Sequence, residues 1–415
     1  MIGLIIINTE LNFSKGNNYS DLLIRNRSLV VKLLMKNGNS TRSEISRITG
    51  LSQAAITKIA SDLISIGLIE EIGHGKGEKG RRTIEIRLKS ESYSVIGVKI
   101  SRRSYSIGHF SIGGQIHNTE VHKILPSTPA IDVVSAIAKK INCYCANINT
   151  VIAVGISVPG PYLARKGVIA NMTEFSGWDE INIVDFFKEN VHVPTFIEHD
   201  ANAGAMAEWW FGSIQCRTLV HIVASEGIGA GIINNGKLLY GADGTAGEIG
   251  HMSIAFDGRR CQCSSESRGC LEQYCSSLAF LRDVREQINQ NPSSSLTKIP
   301  DFTVDNIFNE AKNGDEFCKY MVSQAGFFFG IGIANIVNIY NPDVIVISDI
   351  MTGAGELLLN SIENTVKAKV LPALLEDLRI SFSQLKCDSI LFGAAAVAVD
   401  RFLGNPLKFT DTGIY

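Results

Sequence analysis

The segment from Gly247 to Glu272 constrains this chain more than any other, because it gathers residue types that bind a metal ion. Three thiolates and one imidazole within a short span are typical of a closed, tetrahedral zinc site. The alternative is a cluster of ordinary buried thiols beside a histidine of the core. The spacing and composition of the segment favour a structural Zn²⁺ site with four ligands: His251, Cys261, Cys263 and Cys270.

Two glutamates flank these ligands and indicate a polar pocket beside the metal. If residues 248–251 form one helical turn, the side chains of Glu248 and His251 share a face. Glu272 follows the last cysteine by two residues. A zinc-bound imidazole keeps a second ring nitrogen for an outer partner, and carboxylates beside it can hold sugar hydroxyls. Glu248 and Glu272 beside His251 could therefore serve this purpose; otherwise the two glutamates are a helix-start carboxylate and a solvated one.

The sequence Gly-Glu-Ile-Gly-His, followed by Cys-x-Cys and Gly-Cys-Leu-Glu, resembles the ROK family of sugar-responsive repressors and sugar kinases. The resemblance covers nearly the whole chain from about residue 20. It implies a two-lobed, actin-like α/β fold with the sugar in the cleft, zinc on the histidine and cysteines, and sugar on the glutamates and the histidine. One difference is the loop of six residues, 264–269, between Cys263 and Cys270, where the family usually has four. Cys275 is therefore an alternative ligand.

Charge is unevenly distributed along the 415 residues. Residues 1–90 hold 14 Lys and Arg against 8 Asp and Glu, whereas the rest holds 25 of the 39 basic and 33 of the 41 acidic residues. A basic head on an acidic body indicates nucleic acid for the head and a small neutral ligand for the body. Nine cysteines without an even, secreted framework favour a reducing cytoplasm. The apolar run of residues 4–7 is too short for a membrane span.

The N-terminal 90 residues carry the pattern of a winged helix-turn-helix. Apolar periodicity predicts helices over 23–35 and 53–66. Between them, Thr41 and Glu44 match a capping box that starts a short helix with Ile45 and Ile48 facing inward. Predicted strands over 68–72 and 81–88 enclose a basic, glycine-rich loop, which is typical of a wing.

Eight side chains of this head are candidates for DNA contacts. In such a motif the first turns of the helix predicted over 53–66 face base edges and phosphates. Basic wings contact phosphates or a minor groove. A small protein-docking module is the alternative, but the basic wing favours DNA, and the segment also resembles the winged head of the family's repressors. The candidates are Gln53, Ala54, Thr57 and Lys58 in the helix, and Lys76, Lys79, Arg81 and Arg82 in the wing.

From residue 93 onward strands alternate with helices, which predicts an α/β fold. A β-ribbon begins at residue 93, and a helix over 129–141, a buried parallel strand over 151–158 and a helix over 178–187 follow. Gly160 lies just after the buried strand, where α/β folds bind ligands, and is a candidate sugar contact. In the family's kinases an aspartate matching Asp200 is the general base and usually follows Asn, which His199 replaces here. We expect Asp200 to contact a sugar hydroxyl; the alternative is a helix cap.

Three stretches that bind nucleotide in kinases of this family are altered. Lys99 to Arg103 replace the Asp-x-Gly-Gly-Thr turn, Ser225 to Gly229 replace Gly-Thr-Gly-x-Gly, and Ser348 to Ile350 replace the glycines beneath adenosine. Side chains at glycine positions block the approach of phosphates to the backbone, and a carboxylate repels them. The residues that predict a protein without enzyme activity are Lys99, Arg102, Glu226 and Asp349.

These features predict a sugar-responsive transcriptional regulator, acting as a repressor, with double-stranded operator DNA as its partner. The predicted parts are a leader (1–19), a winged helix-turn-helix (20–90), a first lobe (91–200, with 388–404 returning to it) and a second lobe with the zinc site (201–387). A homodimer or dimer of dimers is expected, because such heads bind paired half-sites. Two alternatives stay open. One is a sugar kinase with a DNA-binding head. The other is a repressor controlled by a sugar-transport phosphotransferase protein; family members of that kind also carry the Glu-His-Asp that this chain has at residues 198–200.

Overall fold

The computed structural model describes residues 18–76, 82–169, 177–261 and 266–410. These residues form two compact units, one comprising the chain up to Glu198 together with the part from Leu391 onward, and the other comprising His199–Ile390. The chain therefore passes between the units twice, after Glu198 and after Ile390. The four-part division predicted from the sequence stays a prediction.

The first unit begins with the predicted winged helix-turn-helix. Its elements are α1 (Tyr19–Asn37), β1 (Ser40–Thr41), α2 (Arg42–Thr49), α3 (Gln53–Ser65), β2 (Ile69–Lys76) and β3 (Arg82–Leu88). Ile56, Ile59 and Leu63 of α3 are buried, as the helical period predicts. The capping box of Thr41 and Glu44 starts α2. The expectation that Ile48 faces inward is wrong: its side chain is 51% exposed, because the eight-residue α2 buries only Ile45.

The rest of the first unit is built on a five-stranded mixed sheet. Its elements are β4 (Ser94–Ile100), β5 (Ser104–Ser111), β6 (Ile116–Lys123), α4 (Ala130–Asn147), β7 (Val151–Val158), β8 (Tyr162–Leu163), β9 (Val168–Ile169), α5 (Ile183–Asn190) and β10 (Thr195–His199). The strand order is β10-β7-β4-β5-β6, and β7 runs parallel to β4 as expected for a buried strand. The predicted helix over 178–187 begins later, because Asn182 caps α5 by accepting from the Asp185 amide at 3.1 Å.

The second unit has a five-stranded sheet of its own, in the order β13-β12-β11-β14-β15. Its elements are α6 (Asp200–Phe211), β11 (Thr218–Ala224), β12 (Ile228–Asn234), β13 (Lys237–Leu238), α7 (Glu272–Cys275), α8 (Ser277–Gln287), α9 (Val304–Lys312), α10 (Glu316–Tyr340), β14 (Val344–Ser348), α11 (Glu356–Lys369) and β15 (Arg379–Phe382). Two further helices follow, α12 (Ser389–Gly404) and α13 (Pro406–Thr410), and they belong to the first unit from Leu391 onward. Small residues bring α6 close to the sheet: a Cβ on Gly231 would lie 2.2 Å from the Ala201 carbonyl oxygen.

Helix α10 is long and apolar enough to span a bilayer by length and composition. Within the second unit it is a core helix, since Phe329, Ile333 and Val337 are fully buried. It packs on α11 so closely that a Cβ on Gly330 would lie 2.5 Å from the Thr365 side chain. Burial by protein accounts for its apolar composition, and such a helix is weak evidence for a membrane span.

Candidate functional site

The residues that carry the predicted metal ligands form a small antiparallel ribbon in the second unit. The Ile254 amide donates to the Gly269 carbonyl at 2.8 Å, and the Cys261 amide donates to the Ser267 carbonyl at 2.9 Å. Gly269 has a φ of +72°, and a Cβ there would lie only 1.8 Å from the Ala255 carbonyl oxygen. Glycine is therefore required where the two sides of the ribbon meet.

The ribbon brings three of the predicted metal ligands together. The imidazole nitrogens of His251 and the sulfurs of Cys261 and Cys270 provide ligand atoms that all lie within 4.8 Å of one another. Zinc–sulfur bonds of about 2.3 Å and zinc–nitrogen bonds of about 2.0–2.1 Å are compatible with that spacing. This His/Cys cluster can hold a metal ion. The fourth predicted ligand, Cys263, lies outside the described residues.

Cys275 is placed differently from these three residues. It is fully buried on α7, and its thiol donates to the Leu271 carbonyl at 3.4 Å. Burial raises the pKa of the Cys275 thiol well above its ordinary value, which disfavours the thiolate that a metal requires. It does not belong to the cluster formed by His251 and the other two cysteines. The contacts of Cys275 therefore argue against its role as the alternative ligand.

Arginine contacts that the sequence did not indicate support the ribbon. The Arg259 amide donates to the Tyr274 hydroxyl at 2.9 Å, and its guanidinium lies 5.0 Å from the centre of the Tyr274 ring. The same guanidinium donates to Asp283 at 2.6 Å. These contacts join the segment before Cys261 to α7 and α8. No motif distinguishes Arg259 from other surface arginines, so sequence reasoning had no signal for this role.

Beside the metal ligands, the second unit gathers three carboxylates and two imidazoles. Residues 249–251 form a single 3₁₀ turn preceded by Glu248, close to the predicted helical turn. Burial raises the pKa of Glu248; His199 and His251 act to lower it, and Asp200 and Glu272 to raise it. The named residues are therefore within electrostatic reach of Glu248, as a shared polar pocket requires.

Three members of this polar cluster are held by defined contacts. His199 is buried at the end of β10, and its Nε2 lies 3.1 Å from a carboxylate oxygen of Asp200. Asp200 is the first residue of α6, but the capping position is His199, without a side-chain cap. The Ile228 amide donates to Glu272 at 3.2 Å. Asp200 is thus not a simple helix cap, and a backbone amide that sequence reasoning missed orients Glu272.

Gly160 lies in the first unit, directly after β7, as predicted. It precedes a cis peptide bond to Pro161. Its assignment as a sugar contact stays a prediction.

The stretches that the sequence predicts to replace the nucleotide-binding motifs of the family's kinases lie at the ends of strands. Lys99 lies on β4, and Arg102 and Arg103 lie in the turn before β5. Residues 225–227 form the turn between β11 and β12. The Ser225 hydroxyl donates to Asp349 at 3.3 Å, and Asp349 has a φ of +76°. Because β11 and β14 are parallel, their carboxyl ends meet, and a serine–aspartate contact lies there.

The DNA-contact candidates of α3 share one exposed face. Gln53, Ala54, Thr57 and Lys58 are exposed, opposite the buried face of Ile56 and Leu63. Lys76 and Arg82 are the facing residues at the end of the β2–β3 pair. Lys79 and Arg81 lie outside the described residues. The exposed face of α3 can therefore enter a groove without exposing the core of the head.

Two family models match this chain. One, described as ROK family, matches residues 95–401, and one, described as winged helix-turn-helix DNA-binding, matches residues 25–70. The xylose repressor of Caldicellulosiruptor bescii is 28% identical over 397 residues, covering 94% of this chain and 99% of the relative. The N-acetylglucosamine repressor of Escherichia coli O157:H7 is 31% identical over 389 residues, covering 92% and 94%.

Solved structures similar to this chain include a transcriptional regulator and a kinase. A ROK family transcriptional regulator, described as a homologue of the Escherichia coli MLC protein, has a TM-score of 0.81 at 26% identity and covers 94% of this chain and 99% of that one. A ROK family glucokinase from Streptomyces griseus, solved with glucose and AMPPNP, has a TM-score of 0.63 at 27% identity and covers 74% and 99%. The regulator's coverage is too large to omit the winged head.

Proposed function

Because this chain belongs to the ROK family, we propose that it is a sugar-responsive DNA-binding transcriptional regulator that represses genes of carbohydrate uptake or catabolism. The observation that carries this proposal is the winged head with an exposed recognition face on a chain that also gathers Asp200, Glu248, His251 and Glu272. A repressor needs both parts, whereas a kinase needs only the second.

DNA is bound by the head. Gln53, Ala54, Thr57 and Lys58 read bases and phosphates in the major groove, and Lys76, Lys79, Arg81 and Arg82 contact phosphates or a minor groove. The chain acts as a homodimer or dimer of dimers, because operators of such proteins are paired half-sites. A regulator of this kind works in the cytoplasm, where DNA and the imported sugar meet.

The sugar is held by Asp200, Glu248, His251 and Glu272 of the second unit, and Gly160 stays a candidate sugar contact. Carboxylates accept hydrogen bonds from hydroxyls, and several such bonds fix the orientation of one sugar ring. The three carboxylates of the polar cluster outnumber its two imidazoles, so the phosphate of a sugar phosphate would meet net negative charge. We therefore favour an uncharged sugar over a sugar phosphate as the effector. A sugar that binds one arrangement of the chain better shifts the population away from the DNA-binding arrangement.

Zinc fits the His/Cys cluster, with His251, Cys261, Cys263 and Cys270 as its ligands. Four protein ligands leave no open position, so the metal supplies rigidity and no catalysis. His251 then has one ring nitrogen for the metal and one for an outer partner, which orients its imidazole toward the sugar. The metal ligands and the sugar contacts thus meet in one histidine.

The chain does not phosphorylate its sugar. Phosphoryl transfer depends on positioning and neutralising the phosphates. Lys99, Arg102, Glu226 and Asp349 stand where the family's kinases have a metal-binding aspartate, glycines and a threonine. Glu226 and Asp349 add negative charge where phosphates would lie, and Asp349 contacts Ser225. A sugar kinase with a DNA-binding head is therefore disfavoured.

A second candidate is a repressor controlled by a sugar-transport phosphotransferase protein. The motif Glu198-His199-Asp200 favours it, since relatives of that kind carry the same three residues. In this chain His199 lies against Asp200, so its imidazole competes with a sugar hydroxyl for that carboxylate.

A duplex-release experiment distinguishes the candidates. The wild-type protein first selects its duplex from a random library. Release of that duplex is then followed with D-xylose, N-acetylglucosamine, their phosphates, and a sugar-transport phosphotransferase protein. Release by a free sugar, with no consumption of ATP, supports the proposal. ATP-dependent phosphorylation of the releasing sugar would support the kinase, and release only by a phosphotransferase protein would support the second candidate.

A further inference from the structure

Tyr93 connects the end of α3, which we call the recognition helix, to the rest of the first unit. It lies in the connector between β3 and β4, and its hydroxyl donates to the carbonyl of Ile66. Ile66 is the residue that ends α3. Carbonyls at a helix C-terminus have no partner within the helix, so a donor there fixes the position of the last turn. The recognition helix is thus held by a residue outside the winged head.

The ring of Tyr93 contacts a second element, the long helix α12. Its centre lies 5.3 Å from the centre of the Phe402 ring, and Phe402 is fully buried. Two residues earlier on α12, Asp400 accepts from Lys32 of α1 at 2.7 Å. Helix α12 therefore reaches the winged head at two points, the end of α3 through Tyr93 and the C-terminal half of α1 through an ion pair.

Both passages of the chain between its units lead toward these contacts. Helix α12 begins at Ser389, and the chain leaves the second unit after Ile390. The other passage follows Glu198, at the end of β10, which carries Phe196. Phe409 joins the two elements, with its ring 6.2 Å from Phe196 and 5.7 Å from Phe402. Tyr93, Phe196, Phe402 and Phe409 form what we call the aromatic cluster.

We propose that α12 and the aromatic cluster position the winged head, with the Tyr93 hydroxyl holding the end of α3 and the Lys32–Asp400 pair holding α1. A helix held in one orientation loses less freedom when it binds DNA, so these contacts strengthen operator binding without touching it. Because operator binding is part of the proposed function, this inference rests on the proposed function.

The polar contacts are suited to control rather than to stability. Lys32 and Asp400 keep 32% and 27% of their side-chain surface exposed. Ion pairs with that exposure contribute little to the free energy of folding. Reversing one charge should therefore leave the fold intact and change the position of α1.

The experiment compares charge reversals at this pair. Lys32→Asp, Asp400→Lys and the double reversal are measured for affinity to the selected duplex across a range of salt concentrations. Asp400→Lys should weaken binding about 3- to 10-fold, although it adds a positive charge that would otherwise favour DNA. The double reversal should recover most of the loss. If Asp400→Lys binds as well as wild type or better, or if the double reversal is no better than either single variant, the proposal is wrong.

Removal of one hydroxyl tests the second contact. Tyr93→Phe keeps the ring on Phe402 and loses the donor to Ile66. Tyr105→Phe is the matched control, because Tyr105 is also in the first unit but packs its ring on His122, with the ring centres 4.7 Å apart. Tyr93→Phe should weaken duplex binding about 3- to 10-fold with an unchanged salt slope, since no phosphate contact is lost. Equal affinities of the two variants would overturn the role of Tyr93.

Hydrogen exchange separates failure of this inference from failure of the proposed function. Amides in the last turn of α3, residues 62–66, should exchange about 3- to 10-fold faster in Tyr93→Phe than in Tyr105→Phe, in the absence of DNA and sugar. If the wild-type chain binds no duplex, the proposed function fails while exchange still tests the contact. Identical exchange in the two variants would show that Tyr93 does not position α3.

Discussion

Gly269→Ala tests whether close approach of the two sides of the ribbon forms the metal site. Gly269 has a φ of +72°, and an added Cβ would lie 1.8 Å from the Ala255 carbonyl oxygen. The positive φ costs an alanine about 1–2 kcal/mol. Relief of a contact this short requires movement of the backbone, which costs about 1–3 kcal/mol more. We expect the second unit to lose about 2–5 kcal/mol of unfolding free energy.

Gly236→Ala is the matched control. Gly236 lies in the same unit with a φ of +75°, and an added Cβ would make only ordinary contact, 3.4 Å from the Trp209 ring. It should therefore lose only the conformational part, about 1–2 kcal/mol. The difference between the two variants isolates the contact with Ala255.

The assay combines urea unfolding with zinc content. Trp209 and Trp210 lie on α6, so their fluorescence follows the second unit when Trp178 of the first unit is replaced by Phe in every variant. Zinc is measured in freshly purified, reduced protein by elemental analysis. Gly269→Ala should be less stable than Gly236→Ala and should retain less zinc. Equal stabilities and equal zinc content would refute the argument that the ribbon's close approach forms the site.

Three further predictions follow from single residues. Cys261→Ser should lose zinc and have a lower unfolding temperature. Cys275→Ser should keep its zinc, because the Cys275 thiol donates to the Leu271 carbonyl and does not bind the metal. Elemental analysis measures the zinc content of both variants, and loss of zinc from Cys275→Ser alone would contradict this prediction. Lys58→Ala should weaken duplex binding and reduce the salt slope by about 1, measured by anisotropy at several salt concentrations, and an unchanged slope would exclude a phosphate contact. Burial lowers the pKa of His221 to about 4, so the unfolded chain binds more protons between pH 4 and 6.5, and unfolding free energy should fall by about 2 kcal/mol from pH 7 to pH 5. Urea unfolding at both pH values tests this, and His221→Asn should abolish that part of the pH dependence.

Local patterns in the sequence predicted the local structure well. The helical period placed Ile56, Ile59 and Leu63 in the core of the head, and the capping box of Thr41 and Glu44 marked the start of α2. The spacing of His251, Cys261 and Cys270 predicted a cluster that the fold does assemble. These features succeed because hydrogen bonds and periodicity within a few residues determine them.

Features that depend on distant residues could not be predicted in this way. Lys32 and Asp400 are separated by 368 residues, and neither belongs to a motif. Ile48 fits the helical period, but whether a neighbour covers it is decided by packing, and it is exposed. The orientation of Glu272 depends on the Ile228 amide of another strand. Such contacts follow from topology, which periodicity in one segment does not encode.

The central claim is that one chain binds operator DNA through α3 and releases it when a sugar occupies the site around Asp200. The most direct measurement is anisotropy of the selected duplex during titration with an uncharged sugar, for wild type and Asp200→Asn. Wild type should bind in the range of about 10⁻⁸–10⁻¹¹ M and be released by the sugar. Asp200→Asn should bind the duplex equally well but require much more sugar for release. Wild-type protein that ignores duplex DNA at low salt, or Asp200→Asn that responds to sugar as wild type does, would contradict the claim.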